Sequence, residues 1–364
     1  MYENKTVLSE IICNDSLIDN KTAIPNFTSY NDDNHTFQTD TIANHHNNNI
    51  TSVTNSLSVH NLIFVTVNLF LVPLIIGGNA LVLLSIASFP RLRTVSNIFV
   101  SSLAVADLLV GLLVIPFYTV YYLSVPGVTE NKYACLFKYA FIIESCGSSI
   151  FNLSAIAFER YVAVSFPLKY SAIMTRRKAK LIVTVLWTYV TVLSLAPIAG
   201  INTWRANAAC DFYLVLPMGY TVLGSFVTVS VGMVTTSVFY ALIYWEIRKM
   251  RRFTENQSRL DKSHNRDVRS AFVMAVVSLT FLMFWLPYIV IGPLKYIPTL
   301  DREFIERLKN YTLCLAISNS MVNPFIYGCL RKDFLSAYRT FLCNPCSFRR
   351  REKNFNLALS HSCD

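Results

Sequence analysis

Charged residues are scarce in this chain, and their scarcity limits the folds that it can adopt. Only 15% of its 364 residues are Asp, Glu, Lys or Arg, whereas 53% are hydrophobic. Residues 61–90 carry no charge at all. A soluble domain has about a quarter of its residues charged, and its surface helices carry one polar face. The composition therefore argues against a large soluble core.

Catalytic groups are lacking as well. The six histidines are scattered along the chain, and no catalytic arrangement of side chains stands out. We therefore expect no enzymatic activity and no required cofactor. Charges inside apolar runs are few, chiefly Asp107 and Glu144. A channel or transporter would show inverted repeats or more such charges, so a transporter is the weaker alternative.

Apolar runs are what the sequence has in abundance. A membrane-spanning helix needs roughly 20 predominantly apolar residues. Long runs of this kind cover residues 61–90, 96–124, 133–158, 181–204, 212–245, 270–294 and 310–330. They predict an all-α membrane protein, with a seven-transmembrane helix bundle within residues 60–342.

Positive charge is uneven along the chain, and this predicts an orientation. If the N-terminus is outside, most of the 32 Lys and Arg residues fall in segments that face the cytoplasm, as positively charged loops usually do. They cluster at residues 169–180, 248–269 and 331–353. The net charge of +10 then needs no nucleic-acid partner. We expect a multi-pass plasma-membrane protein with an extracellular N-terminus.

The two ends of the chain differ from the bundle. Residues 1–59 are polar, rich in Asn and without hydrophobic periodicity, which predicts a disordered extracellular tail. This segment contains no apolar stretch of the kind found in a cleaved signal peptide, so we expect none. Residues 343–364 are expected to form a cytoplasmic tail. N-x-S/T sequons predict glycosylation of the first tail at Asn4, Asn14, Asn20, Asn26, Asn34 and Asn49.

A charged pair interrupts the apolar run AIAFERYVAV. Arg160 lies about 37 Å along a helix from Cys135, so the pair is expected at the cytoplasmic mouth of the third helix. Asp267 lies about 30 Å before Pro287 in the sixth helix, which places it at the same end. Arg160 thus has two candidate acid partners, Glu159 and Asp267. A contact of this kind between two helices can work as a switch; the alternative is that each charge meets water.

Motifs in the predicted helices resemble those of rhodopsin-like G-protein-coupled receptors over roughly residues 60–345. The likeness is closest to the adenosine and biogenic-amine branches. It implies a receptor that binds an extracellular ligand and activates a heterotrimeric G protein, with a short amphipathic helix 8 after the seventh helix. The matching positions are Asn79, Asp107, Cys135, Glu159 to Tyr161, Trp187, Pro197, Phe284 to Pro287, Asn323 to Tyr327 and Phe334.

The resemblance implies a G-protein coupling switch at the cytoplasmic end. Pro287 and Pro324 each remove a backbone hydrogen bond and kink a helix, so that its lower end can swing. In the fifth helix Gly232 stands where the family usually has proline, and it permits a bend without imposing one. The implied switch residues are Glu159, Arg160, Tyr161, Tyr240, Asp267, Asn323, Pro324 and Tyr327.

The resemblance also implies an allosteric sodium site around Asp107, a carboxylate inside an apolar helix. Oxygen ligands suit a hard cation, which would offset the buried charge. The alternative is a protonated Asp107 with hydrogen-bonded neighbours and no ion. The surrounding polar residues are Ser149, Asn319, Ser320 and Asn323.

The nine cysteines divide by location. Cys135 and Cys210 lie on the oxidising outer side and should form a disulfide, which in the family pins a loop over the ligand pocket. Cys343 and Cys346 stand beside a run of arginines, where palmitate and membrane lipids are expected partners. Free thiols are the alternative there. Cys13 has no assigned role.

The residues expected to line the ligand pocket match neither the amine nor the adenosine branch completely. Ile142 occupies the position where amine receptors carry the aspartate that pairs with the ammonium. Phe212 matches the stacking residue of adenosine receptors, but Tyr213 replaces their glutamate and Gly292 their asparagine. Glu144 is about 200° around the helix from Ile142, so it should face a neighbouring helix. An amine, a nucleoside-like molecule and a peptide stay open as ligands, and the expected pocket residues are Tyr118, Tyr121, Ile142, Ile143, Cys146, Phe212, Trp285 and Tyr288.

Overall fold

The computed structural model describes residues 59–206, 209–254 and 262–343, with the side chains of residues 225, 251–254, 262–266 and 343 excepted. The predicted N-terminal tail with its sequons lies outside the described residues. So do Cys346, the Cys343 side chain and the rest of the C-terminal tail, so the glycosylation and palmitoylation sites stay predictions.

Seven helices in the described part of the chain are long and apolar enough to cross a membrane, which confirms the predicted all-α bundle. We number the elements in chain order, and α6 extends back to Lys262. An eighth helix follows the seventh. The bounds are α1 Val59–Ser88, α2 Val95–Tyr122, α3 Lys132–Ser165, α4 Arg176–Leu195, α5 Tyr220–Met250, α6 Asp267–Leu294, α7 Arg302–Leu330 and α8 Lys332–Cys343.

Several helices begin at residues whose side-chain oxygen accepts hydrogen bonds from the first turn. Asn131, for example, accepts from the backbone N–H groups of Tyr133 and Ala134 at 2.9 and 3.2 Å. Such a cap contributes about 1 kcal/mol and marks where the helix starts. The capped helices α2, α3, α4 and α7 follow Thr94, Asn131, Thr175 and Asp301.

Helix α3 is the centre of the bundle. In the most apolar stretch of α3, 78% of the residues are buried, against 17% in α4. It packs against α2, α4, α5 and α6. Both Cys135 and Arg160 lie on α3, near opposite ends, and we call these the disulfide end and the Arg160 end of the bundle. One helix therefore passes from one candidate site to the other.

Gly232 on α5 is required for close packing against α3. A Cβ atom at this position would lie 2.7 Å from Cγ1 of Ile150, which is closer than real side chains approach. Small residues at such crossings let two membrane helices come together. Directly before this region, α5 widens into a π-helical stretch over Tyr220–Val227. Gly232 stands where the family usually has proline, and in this structure it allows α5 to pack closely against α3.

Helix α8 has the predicted amphipathic pattern. Phe334 is fully buried and Ala337 is buried, whereas Lys332 and Arg339 are exposed. The Phe334 ring lies 5.6 Å from the ring of Tyr327 on α7. The contact anchors α8 beneath the end of α7.

Candidate functional site

A cavity of about 290 Å³ opens among α3, α5, α6 and α7 at the disulfide end. Most of the expected pocket residues line it. Tyr121 does not, because its ring lies behind the side chain of Lys138, 4.2 Å from the Nζ atom. The expected residues that do line the cavity are Tyr118, Ile142, Ile143, Cys146, Phe212, Trp285 and Tyr288.

The predicted disulfide joins α3 to the loop that follows α4. Cys135 and Cys210 are bonded, with their Cα atoms 5.8 Å apart. The bond places Asp211 and Phe212, the next two residues of the loop, on the cavity wall. The Phe212 ring meets the Tyr139 ring edge-on, with centroids 5.4 Å apart. The loop therefore forms part of the pocket.

An ion cluster ties this loop to α6 and α7. Lys295 bonds to Asp211 and, at 2.9 Å, to Glu306, and Tyr296 donates to Asp211. Burial raises the pKa of Asp211, but the bonds from Lys295 and Tyr296 outweigh burial and hold it below its usual value. Burial lowers the pKa of Lys295, but bonds to Asp211 and Glu306 hold it above its usual value.

These two shifts define the pH range of the bridge. Because the pKa of Asp211 is depressed, its stabilising contribution is lost only as the pH falls below the ordinary carboxyl range. Because the pKa of Lys295 is raised, its contribution is lost only as the pH rises above the ordinary lysine range. The loop is therefore held by an ionised bridge at all physiological pH values.

Lys138 is a cavity residue that the sequence analysis missed. Its side chain is buried on the wall of the cavity. Its Nζ atom faces the rings of Tyr121, Tyr139 and Tyr118 at 4.2, 4.5 and 5.4 Å. The available signal was a lone lysine in the apolar run CLFKYAFII, because an ionisable residue in a membrane helix is a functional candidate by default.

Two departures from the adenosine-receptor pattern are neighbours in space. A Cβ atom built on Gly292 would meet the hydroxyl oxygen of Tyr213 at 3.3 Å. The tyrosine from the loop thus occupies the space that a side chain on α6 would need. The missing side chain at position 292 and the large residue at position 213 therefore shape the same part of the cavity wall.

Ile142 and Glu144 point to different surroundings, as their spacing predicts. Ile142 lines the cavity. Glu144 faces α4, where Ser194 donates to it at 2.6 Å and Thr191 at 3.1 Å. These two hydrogen bonds from α4 stabilise the Glu144 carboxylate, and Glu144 does not line the cavity.

Asp107 is fully buried in the bundle and interacts with polar side chains of α7. Asn323 donates to one carboxylate oxygen at 2.9 Å. The second oxygen, together with the side-chain oxygens of Asn319 and Asn323, has no hydrogen-bond partner in the described part of the chain. Ser320 on α7 interacts with the Asp107 carboxyl group, and Ser149 is buried on α3. Unpartnered oxygen atoms of this kind fit a hard cation.

At the other end of the bundle, Arg160 is held by its own helix and by α6. Its Nε donates to Glu159 at 2.6 Å and its Nη1 to Ser270 at 3.1 Å. Tyr170, in the short helix Tyr170–Ile173, also donates to Glu159. The pair is therefore shielded from water rather than hydrated.

The expected ion pair between Arg160 and Asp267 is not formed in the described part of the chain, although Asp267 lies close enough to interact electrostatically with Arg160. Among the described residues, Glu159 is the acid that forms an ion pair with Arg160. Asp267 lies three residues before Ser270, nearly one turn nearer the end of α6. Because the arginine is folded back onto Glu159, its free end reaches only Ser270. The helix contact exists, but its partner on α6 is a hydroxyl.

The other expected switch residues lie around this pair. The hydroxyl of Tyr240 accepts from Ser278 at 3.4 Å. The Tyr161 ring lies between Phe166 and Phe239. Tyr327 is buried and its hydroxyl has no partner in the described part of the chain. Pro324 packs against Gly78, whose Cβ would meet it at 3.0 Å.

A membrane bundle with a cavity at one end and a buried arginine contact between helices at the other is the architecture of a signalling receptor. The model of the protein family described as "7 transmembrane receptor (rhodopsin family)" matches residues 78–327 of this chain. The chain belongs to this family. It is a cell-surface receptor that binds an extracellular ligand and activates a heterotrimeric G protein.

Curated relatives agree with this assignment. Adenosine receptor A2a of Canis lupus familiaris is 31% identical over 309 residues, which cover 80% of this chain and 74% of the relative. Adenosine receptor A2b of Rattus norvegicus is 29% identical over 306 residues, covering 79% of this chain and 91% of the relative. Adenosine receptor A2a of Homo sapiens is 30% identical, and the matched region covers 77% of this chain and 72% of the relative.

Replacing Ser270 with Ala should raise basal G-protein signalling about tenfold or more, because the contact that joins α6 to Arg160 is lost. A hydrogen bond to a charged group contributes about 1.5–3 kcal/mol, enough to enlarge a minor active state by at least that factor. Asp267→Ala should have a smaller effect, and Arg160→Ala should reduce signalling at unchanged surface expression. Second-messenger levels without ligand measure all three.

The matched control is Thr280→Ala, since the Thr280 hydroxyl bonds only to the backbone of Val276 on its own helix. Equal basal signalling in the Ser270 and Thr280 variants, with a rise in Asp267→Ala, would show that the acid and not the hydroxyl restrains Arg160.

Proposed function

We propose that the disulfide end of the bundle faces the cell exterior and the Arg160 end faces the cytoplasm. A disulfide persists in oxidising surroundings. Exposed basic side chains lie on segments next to the opposite end, as cytoplasmic loops require. These residues are Arg91, Arg93, Arg176, Arg177, Lys178 and Lys180.

In this orientation the N-terminal sequons are translocated and carry glycans. Glycosidase treatment of membranes should shift the receptor band by several glycans, and an N-terminal epitope tag should be detected on intact cells. A variant with Gln at all six sequon asparagines is the control and should show no shift. A tag that becomes detectable only after permeabilisation, on an unshifted receptor, would reverse the proposed orientation.

We further propose that the ligand is a small molecule with a planar or apolar body. The observation that carries the proposal is the cavity of about 290 Å³, with Phe212, Trp285 and Tyr288 on its wall. Since the relatives are adenosine receptors by name, nucleoside-like compounds are the first class to test. The departures at Tyr213 and Gly292 remove a polar side chain from the purine-reading position, so a different head group is recognised there.

A simple monoamine does not fit this pocket. Ile142 supplies no counter-ion for an ammonium group, and Glu144 is engaged with α4. A buried ammonium without a partner loses its water and gains nothing in exchange. The positive charge of Lys138 on the same wall also repels the ammonium group of such a ligand. The carboxylates that do line the cavity, Asp211 and Glu306, are already bonded to Lys295.

The signal would pass along α6. Trp285 lines the cavity, and its ring stacks on Phe281 with centroids 5.8 Å apart. Pro287 kinks the same helix two residues further on. A ligand that displaces Trp285 would shift the Arg160 end of α6 and break the contact between Ser270 and Arg160. Binding energy would thus favour the state in which Arg160 is free for the G protein.

The Phe212→Ala variant tests this ligand site. Potency of an active small molecule should fall about tenfold, since a lost aromatic contact of roughly 1.4 kcal/mol corresponds to that factor. Phe137→Ala, on α3 but outside the cavity lining, should leave potency unchanged. Dose–response curves for nucleosides, dopamine, serotonin, tyramine, octopamine and histamine measure the class. A submicromolar monoamine response abolished by Glu144→Gln would contradict the assignment.

We propose, finally, that the cluster around Asp107 binds a sodium ion. The unpartnered oxygens of Asp107, Asn319 and Asn323 support this, because oxygen atoms are the ligands that a hard cation prefers. The cation would offset the buried carboxylate and hold α2 to α7. Ser149 and Ser320 are further candidate oxygen ligands.

Thermal unfolding of the purified receptor in NaCl and in choline chloride of equal strength tests the sodium site. Sodium should raise the melting temperature, because a ligand that binds only the folded state stabilises it. Asp107→Asn should abolish the difference, whereas Asp267→Asn, outside the cluster, should keep it. Equal melting in both salts would indicate a protonated Asp107 without an ion.

A further inference from the structure

The charged side chains on the cavity wall do not balance. Two carboxylates, Asp211 and Glu306, face three lysines, Lys138, Lys295 and Lys309. Lys295 bonds to both carboxylates, and Lys309 bonds to Glu306 at 2.6 Å. Both acids are therefore engaged by these two lysines. The remaining positive charge of the cavity is that of Lys138.

Lys138 is also the most deeply placed of the three lysines. Its relative exposure is 7%. Among the described residues, it forms no ion pair with a carboxylate, and its one hydrogen-bond contact is a long one of 3.5 Å to the carbonyl oxygen of Cys210. The rings of Tyr118, Tyr121 and Tyr139 attract the ammonium group but do not carry a counter-charge. A buried lysine in this state is unfavourable unless an anion completes the site.

The surroundings of Lys138 fit the acidic group of a ligand. Tyr118 lies beside it, with its ring 5.4 Å from the Nζ atom. The buried Tyr118 hydroxyl interacts with the hydroxyl of Tyr288, and it would have to turn from Tyr288 to donate to an acidic oxygen. Beyond these two groups the wall becomes apolar at Ile142, Trp285 and Ile289.

We propose that the ligand of this cavity is a small organic anion whose carboxylate or phosphate group pairs with Lys138. Its planar or apolar body lies against the apolar wall. The proposal rests on the small-molecule pocket proposed above and adds the charge of the ligand. The established interactions of Lys295 with Asp211 and Glu306 stay intact, so the acid does not have to break an existing ion pair to bind.

Thermal unfolding of the purified full-length receptor with matched pairs of probes tests the charge of the ligand. Suitable pairs are adenosine 5′-monophosphate with adenosine, indole-3-acetate with indole-3-acetamide, and octanoate with octanamide. In at least one pair the acid should raise the melting temperature by several degrees more than its neutral partner. Lys138→Met should abolish that difference, and Lys138→Arg should keep it.

The matched control is Lys132→Met, in the first turn of the same helix and outside the cavity lining, which should keep the preference for the acid. Without ligand, Lys138→Met should melt at the same or a higher temperature than the wild type, because an unpaired buried charge is removed. A lower value would show that the ligand-free protein already satisfies Lys138, which overturns the proposal.

The remaining outcomes separate this proposal from the small-molecule pocket itself. Neutral partners that stabilise as well as the acids, or an acid preference that survives in Lys138→Met, would overturn the anion and leave the pocket. A receptor that no probe of either kind stabilises would count against the small-molecule pocket, and the anion falls with it.

Discussion

A charged side chain inside the bilayer costs free energy unless a partner offsets it, and the arrangement of this receptor follows from how each such charge is met. At one end Arg160 is bonded to its neighbour and to Ser270. Midway, Asp107 accepts from Asn323. The contacts with Ser270 and Asn323 each join two helices. Among the described charges buried in α3, Lys138 is the one without an ion pair or a short hydrogen bond, and it lines the cavity.

The central position of α3 links the two ends of the receptor. It carries the disulfide, Lys138 and Arg160, and it is buried by four neighbouring helices. Such a helix has little freedom to move. In the proposed mechanism the change that connects the cavity to the switch falls to α6, which supplies Trp285 to the cavity and Ser270 to the contact with Arg160. Pro287, two residues after Trp285, is the point at which this helix can bend.

The cavity wall keeps some residues of the adenosine-receptor pattern and departs from others. The disulfide holds the loop over the cavity and Phe212 lines it, which is what the resemblance to adenosine receptors implies. Tyr213 and Gly292 stand where that pattern has glutamate and asparagine, and the Tyr213 hydroxyl lies beside Gly292. The ion bridge between Asp211 and Lys295 holds the new loop surface in place.

The sequence by itself determined the helices, because a run of about 20 apolar residues has no other favourable state in a bilayer. It also determined that Glu144 turns away from Ile142, since the rotation between them is a property of any α-helix. Only the tertiary structure decided which atoms meet. Arg160 reaches Ser270 and not Asp267, and Tyr121 covers Lys138 and not the cavity. These choices depend on the relative depth of neighbouring helices and on side-chain rotamers, which no local pattern in the sequence encodes.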